Sequence, residues 1–478
     1  MQYSIVNYRD LEKGSLRFDS EYYHPQNLLL LQTLKSKSHN QIGDFAFVTD
    51  GIHASIDFDE NSKINLLSAK APKENYFDLS GTGFISKAQD EKNKRTRLKK
   101  DDVVISTVGT IGNCAVVDEN ILPANSDRHV GIIRIEKGYQ PYFLSSFLLS
   151  KYGRFQTFRE STGNVQLNLF IYKIKEIIVP NLPQNFQKLI QDVCVKAHEL
   201  KTDSVNFYSQ AEVLLLSELR LTDWKPKHTL AFVKNFSDTQ KAERIDAEYF
   251  QPKYEEIVEA VKKYKGGFDK MGNLTKLIGH PSNPPYETIN TENKTFIITQ
   301  KHLSNYFPVD NFWKDEEALY TTDDFIEKNK KYILQDNDII LYSVGAYIGK
   351  ANLYNANIKA TIGSFLTLIR PKIEKINPFY LLVFLNSKIG QELTRRNSRG
   401  LAQQYIYPYD TRQVIVPILE ISKQKEIERL ILSGQKSHNL SKSLLEIAKR
   451  GVEMAIEKNE QEAGKWIENE LKALKIEI

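Results

Sequence analysis

Arg17-Phe18-Asp19-Ser20-Glu21-Tyr22-Tyr23-His24-Pro25 returns as Arg244-Ile245-Asp246-Ala247-Glu248-Tyr249-Phe250-Gln251-Pro252, an offset of 227 residues. Asp102-Val103-Val104-Ile105-Ser106-Thr107-Val108-Gly109 returns as Asp338-Ile339-Ile340-Leu341-Tyr342-Ser343-Val344-Gly345 at 236, and Ile111-Gly112 as Ile348-Gly349 at 237. From there the register holds. Pro141-Tyr142-Phe143-Leu144 meets Pro378-Phe379-Tyr380-Leu381, and Ser150-Lys151 with Gly153 meets Ser387-Lys388 with Gly390. Ile177-Ile178-Val179-Pro180 meets Val414-Ile415-Val416-Pro417, and Gln187-Lys188 meets Gln424-Lys425. Chance does not hold one register across so many separate matches, so the chain is a tandem duplication. The shift from 227 to 237 marks ten residues inserted in the second copy.

Each copy has the same internal order. A segment of short β-branched and aromatic runs comes first, such as Val103 to Thr107, Val130 to Ile135 and Ile174 to Val179, broken by Gly and Asn turns. Pro180 and Pro417 close its last strand, and a long helical stripe follows. In copy one Phe186, Ile190, Val193, Ala197, Leu200, Phe207, Ala211 and Leu214 recur in steps of four and three, broken only by Ser204. In copy two Ile427 and Leu430 begin the stripe, and Leu440, Leu444, Ile447, Gly451 and Met454 continue it toward Trp466, Leu471 and Leu474. Such heptads serve helix-to-helix packing. The expected class is α+β: two tandem globular mixed domains, each followed by a long helix, the helices packing as an antiparallel coiled coil with pseudo-twofold duplicated architecture. The boundaries fall at 1–183, 184–227, 228–419 and 420–478.

The 478 residues are 41% hydrophobic and 26% charged, with 65 Lys and Arg against 60 Asp and Glu, a formal +5. That is the composition of a folded globular protein rather than a disordered one, and so mild a charge permits DNA binding without demanding it. Cys114 and Cys194 lie too far apart for a disulfide framework or a Cys-x-x-Cys zinc site, which fits a reducing, cytoplasmic setting. The N-terminal residues lack a secretory pattern, and no apolar run approaches the roughly 20 residues that span a bilayer.

A helix of about 35 residues spans roughly 50 Å, about one and a half turns of B-DNA, so paired helices can act as a ruler between two domains. With both Arg-x-Asp-x-Glu-Tyr-aromatic-x-Pro segments, both Asp-hydrophobic…Gly…Ile-Gly segments and both Ile-Val-Pro…Gln segments (178–190 and 415–427) in place, the chain resembles the specificity subunits of type I restriction-modification systems over essentially its whole length. The resemblance implies a non-enzymatic subunit in which each target-recognition domain binds one half of a split double-stranded DNA target and the helices set the unread gap. It further implies two modification subunits docked on the helices, through Gln187, Ile190, Val193, Leu200, Gln424, Ile427 and Leu444, and restriction subunits beyond them. S-adenosylmethionine, ATP and Mg would reside on those partners, with no cofactor or metal on this chain.

One tetrapeptide argues for an enzyme. Asn283-Pro284-Pro285-Tyr286 reproduces a signature of adenine amino-methyltransferases, and a stand-alone adenine-N6 DNA methyltransferase is the alternative reading. Such an enzyme also needs a glycine-rich turn after a strand, and the sole Gly-x-Gly, Gly81-Thr82-Gly83, follows a poor strand in the other copy. Gly349-Lys350-Ala351 and Gly464-Lys465-Trp466 lack a phosphate loop. The nine histidines form no metal-binding pattern.

DNA affinity requires cations for phosphates and base-matching side chains for specificity. The basic runs before the Asp-hydrophobic strand offer Lys94, Arg95 and Arg97 in copy one and Lys328, Lys330 and Lys331 in copy two, although a solvated loop is the ordinary fate of such runs. Loops before the last strand offer Arg159, Asn164 and Gln166, and Arg395, Arg396, Arg399, Gln403, Gln404 and Tyr405; both contain a glycine, Gly163 or Gly400, and they differ around it. His53 and His280 sit in roughly matching places after the first strand. Tyr286 can stack on a base. Arg128 lies in the polar run Asn125-Ser126-Asp127-Arg128-His129, whose counterpart Thr361-Ile362-Gly363-Ser364-Phe365 is much less polar.

Overall fold

The computed structural model describes residues 4–8, 11, 17–163, 166–286, 295–304, 306–308, 318–345, 347–356, 358–400 and 403–478. The chain divides into two compact units, 1–203 with 437–478, and 204–436. Each long helix is therefore shared between units, whereas a reading along the sequence assigns each helix whole.

The first copy runs α1 (Pro25–Lys35), β1 (His39–Gln41), α2 (Ile42–Phe45), β2 (Ala46–Asp50), β3 (Ile64–Leu67), β4 (Gly83–Ile85), α3 (Lys87–Lys92), β5 (Val103–Ser106), β6 (Cys114–Val116), β7 (Ala124–Ser126), β8 (Val130–Ile135), α4 (Pro141–Leu149), α5 (Lys151–Glu160), α6 (Ile171–Glu176), β9 (Ile178–Pro180) and α7 (Gln184–Glu218). After α8 (Phe236–Ala242) the second repeats the order: α9 (Pro252–Lys263), β10 (Phe268–Lys270), α10 (Met271–Leu274), β11 (Thr275–Gly279), β12 (Thr295–Ile298), β13 (Tyr320–Thr321), α11 (Asp323–Lys328), β14 (Ile339–Tyr342), β15 (Ala351–Leu353), β16 (Ala360–Ile362), β17 (Leu366–Pro371), α12 (Pro378–Asn386), α13 (Lys388–Arg396), α14 (Pro408–Thr411), β18 (Ile415–Pro417), α15 (Ile421–Glu457) and α16 (Glu460–Leu474).

Sheet topology repeats as strictly as element order. An antiparallel sheet β2-β8-β5-β6 corresponds to β11-β17-β14-β15, and a smaller sheet β4-β3-β7, parallel between β3 and β7, corresponds to β13-β12-β16. The β1-β9 and β10-β18 pairs complete the set. The central strands β5 and β14 are buried at every residue, which explains why they read as unbroken apolar runs. The stretch from Ile174 departs from expectation: its first half belongs to helix α6, and the strand is confined to Ile178–Pro180. Apolar content alone does not separate a short buried helix from a strand.

Against the main sheet pack α4 and α12, buried on almost every face. Each fully buried Phe or Leu there contributes about 1.5–3 kcal/mol. Ser150 and Ser387 then cap α5 and α13 by accepting the amide hydrogens of Gly153 and Gly390. A Cβ on Gly153 would lie 2.3 Å from the Leu148 Cα, and one on Gly390 1.8 Å from the Phe384 carbonyl oxygen. The Ser-Lys-x-Gly match in the sequence is thus a tight helix-to-helix corner.

In the N-terminal unit Ile190, Val193, Cys194 and Ala197 of α7 share a core with Leu444, Ile447, Ala448 and Val452 of α15 and Ala463 and Ile467 of α16. In the other unit Ala211 and Leu215 meet Ile427 and Ile431. The start of one helix meets the end of the other, so the pair is antiparallel. Ser204 does not interrupt burial (2% exposed), and Ser441 (3%) rather than Leu440 carries the α15 stripe. From Ala211 the stripe passes to Leu215 rather than Leu214, the drift expected of a 3.6-residue turn under a 3.5-residue repeat.

Candidate nucleic-acid interface

At one end of each main sheet several loops converge. In the N-terminal unit the segment after β2 pairs with the segment before β8, through Ile52 N–H to the Ser126 carbonyl (2.8 Å). Thr107, past the end of β5, donates to the His129 carbonyl (3.0 Å) and accepts from Leu169 N–H (2.9 Å). The loop 162–168 closes on itself between Thr162 and Asn168. In the second unit Ser343 donates to Phe365 (3.2 Å) and accepts from Ile406 N–H (2.9 Å), and Arg399 and Tyr405 close the matching loop with two bonds of 2.7 Å. Both closures need their glycine: φ is +138° at Gly163 and +99° at Gly400, and a Cβ would strike the carbonyl of Gln166 or Gln403 at 2.2 or 2.3 Å.

This edge brings several expected residues together. His53 Nε2 lies 2.5 Å from Asp50 Oδ2, and Arg95 Nη2 lies 3.6 Å from Asp50 Oδ1. Arg128 is exposed, with Nε 3.3 Å from His129 Nε2. Gln166 is exposed on the closing loop, as are Gln403 and Gln404. In the second unit Tyr405 Oη approaches His280 Nε2 at 3.4 Å and its ring packs on Tyr407 (centroids 4.4 Å). Tyr286 is exposed three residues beyond Asn283. Strand ends make Gly51, not His53, the counterpart of His280, because β2 ends at Asp50 and β11 at Gly279. Asn164 lies outside the described residues.

Other arginines of the expected set have structural partners as well. Arg159 Nε donates to the Tyr22 carbonyl (3.0 Å), Nη1 reaches Glu160 (3.0 Å), and the guanidinium lies 3.6 Å from the centre of the Tyr22 ring. Arg17 Nη1 in turn donates to the Arg159 carbonyl (2.7 Å) while its other nitrogens hold Asp19. In copy two Arg396 donates to the Tyr249 carbonyl (3.2 Å) and stacks on that ring, while Arg244 holds Asp246 and the Arg396 and Ser398 carbonyls. The Arg-x-Asp-x-Glu-Tyr motif is thus a clamp on the helix before the loop. Arg395 pairs with buried Glu392 (3.0 Å), and Arg399 pairs with Asp410 (3.0 Å).

The basic runs divide likewise. Arg97 pairs with buried Asp90 and exposed Glu91, and Lys94 (3.2 Å from Glu91) and Lys330 (2.7 Å from Glu327) pair locally but stay largely exposed. Lys328 and Lys331 are exposed, Lys331 above the Tyr332 ring. Gln187, Ile190, Val193, Gln424, Ile427 and Leu444, expected at a subunit interface, are buried within their own chain, and Leu200 packs beside them. Gln187 accepts from Gln140 N–H (3.0 Å) and donates to the Leu182 carbonyl (2.9 Å); Gln424 does the same for Asn377 (2.9 Å) and Leu419 (2.7 Å). Heptad periodicity identifies a buried stripe without saying whether its partner is the same chain or another.

The methyltransferase reading gains no support. Asn283 Oδ1, the acceptor such an enzyme needs, takes the Ser364 hydroxyl (2.8 Å), and Gly83 opens strand β4 rather than following a strand into a helix. Among the described residues no group of three or more His, Cys, Asp or Glu is placed to hold a metal, and no helix is long and apolar enough to cross a membrane. The sequence does not single out Asp50, whereas Asp127 and Phe365 lie in the polar run and its counterpart; all three sit at strand ends where the two copies differ.

Comparison with known proteins matches the type I restriction modification DNA specificity domain twice, at residues 31–196 and 281–433. The type I restriction enzyme EcoBI specificity subunit of Escherichia coli is 28% identical over 102 residues, 21% of this chain and 21% of that protein's length. Among solved structures, the S subunit of a type I restriction-modification system from M. genitalium aligns over 88% of this chain and 95% of its own at 12% identity and TM-score 0.43. The HsdS subunit from Thermoanaerobacter tengcongensis aligns over 88% and 96% at 14% identity and TM-score 0.28.

Proposed function

We propose a function from one premise: this chain belongs to the type I restriction modification DNA specificity family. It supplies the sequence preference of a restriction-modification complex, each unit binding one half of a bipartite double-stranded DNA target with its convergent loop edge. The observation that carries this reading is the same edge built twice on the same sheet topology with different side chains, as two readers of different half-sites require. Phosphate contacts come from the exposed lysines beside each edge, and base contacts from the loop tips. The long helices set the unread gap. Two modification subunits bind the chain on faces other than the buried heptad stripe, and restriction subunits join them in the cytoplasm. S-adenosylmethionine, ATP and Mg belong to those partners, and this chain is the non-catalytic address.

The test is methylation-sensitive sequencing of a host expressing the chain with its modification subunits. One asymmetric split motif is the expected result; no bipartite motif at all would sink the reading. Inserting one heptad into α7 is expected to lengthen the unread gap and leave both half-sequences unchanged.

A further inference from the structure

We infer that the N-terminal unit selects a G·C pair in its half-site, reading it with Arg95 and Arg128 beside the carboxylates of Asp50 and Asp127. The inference rests on the function proposed above and deepens it. Strand ends fix which residues correspond at the two edges. Asp50 ends β2 where Gly279 ends β11, and Asp127-Arg128-His129 precede β8 where Gly363-Ser364-Phe365 precede β17. One edge carries charge of both signs; the other has two glycines, a serine and a phenylalanine ring that is 61% exposed.

Carboxylates at a surface that meets DNA are repelled by phosphate, so they need a partner there. Asp50 has His53 Nε2 at 2.5 Å and Arg95 Nη2 at 3.6 Å, while its backbone carbonyl faces Arg95 Nη1 at 3.5 Å. Asp127 Oδ1 accepts the His129 amide hydrogen at 2.8 Å, which fixes the backbone on either side of Arg128. The bridge between Ile52 and Asp127 keeps the two segments side by side. In the major groove a G·C pair presents two acceptors, guanine N7 and O6, next to one donor, the cytosine amino group. A guanidinium fork beside a carboxylate is the complement of that pattern. A thymine·adenine pair instead offers a methyl group beside its polar atoms, which an exposed ring such as Phe365 in the second unit suits better.

The experiment uses the full complex and the motif it methylates in a host. Arg128→Ala and Arg95→Ala, made separately, are expected to relax the motif at one G·C position, lowering selectivity there about tenfold or more for at least one of them. The other half-site and the gap stay unchanged, which also shows that the variant is folded and assembled. Asp50→Asn is expected to relax the same half-site. Gln404→Ala marks the second unit by altering only the other half. If a bipartite motif is methylated but the half-site that Gln404→Ala leaves untouched lacks a G·C pair, the inference is overturned. It is also overturned if both arginine variants methylate the unaltered motif. In either case the functional reading stands; if no bipartite motif exists, that reading fails and the inference with it.

Discussion

Arg134 grips Asp102 with two hydrogen bonds, Nε to Oδ1 at 2.8 Å and Nη2 to Oδ2 at 2.7 Å, and Arg370 grips Asp338 at the same two distances. Both carboxylates are 1% exposed. They also accept the amide hydrogens of Lys99 and Gln335 (2.8 Å each). The second arginine nitrogen reaches the carbonyl of Arg97 at 3.2 Å or of Ile333 at 2.8 Å. The Asp that opens the repeated strand motif therefore fastens the basic turn to the sheet.

Removing that carboxylate leaves an arginine without its partner. Asp102→Ala or Asp338→Ala is expected to cost about 3–5 kcal/mol in the unit that carries it. Urea unfolding followed by hydrogen exchange in β5 and β8, or in β14 and β17, measures the loss unit by unit. A change below about 1 kcal/mol would mean that the pair is dispensable.

Alanine substitutions should separate a structural clamp from a phosphate contact. Arg396→Ala breaks the bond to the Tyr249 carbonyl and the stacking on its ring. It is expected to lower stability by about 1–3 kcal/mol. Lys328→Ala touches neither, and is expected to leave unfolding unchanged while reducing the slope of log affinity against log salt by about one. Salt titrations of DNA binding by the assembled complex, beside thermal unfolding of both variants, distinguish the two.

The helix corner is a steric prediction. Gly390→Ala places a methyl group where the Phe384 carbonyl oxygen already stands, at 1.8 Å. A loss of about 3 kcal/mol or more is expected, despite the intrinsic preference of helices for Ala over Gly. Circular dichroism during thermal unfolding reports it, and a stability equal to that of the unaltered chain would refute the packing described for α12 and α13.

His198 on α7 supplies a pH dependence. Burial against Tyr142 (ring centroids 5.2 Å) lowers its pKa below the ordinary 6.5, since charging the ring there costs desolvation. The unfolded chain then takes up the proton first. The contribution of His198 is complete above about pH 6.5 and is lost as pH falls from there through the depressed folded value. Comparing unfolding midpoints between pH 8 and pH 5 for the chain and for His198→Gln tests this; the variant is expected to flatten that part of the profile.

The sequence by itself determined the duplication, the element types around its strongest apolar runs and the existence of two heptad helices. These follow from local periodicity and from one register repeated over hundreds of residues. It did not show which polar residues face inward. Arg159 and Gln187 look like surface groups in a string of letters, yet one holds the Tyr22 carbonyl and the other is fully buried. Only the tertiary structure decided this, because a buried polar side chain is stabilised by partners distant in sequence, which composition and spacing cannot display. The same holds for the convergent loop edge. Asp50, Arg95 and Asp127 are scattered along the chain, and it is the bridge between Ile52 and Asp127 and the contact of Arg95 with Asp50 that make them neighbours.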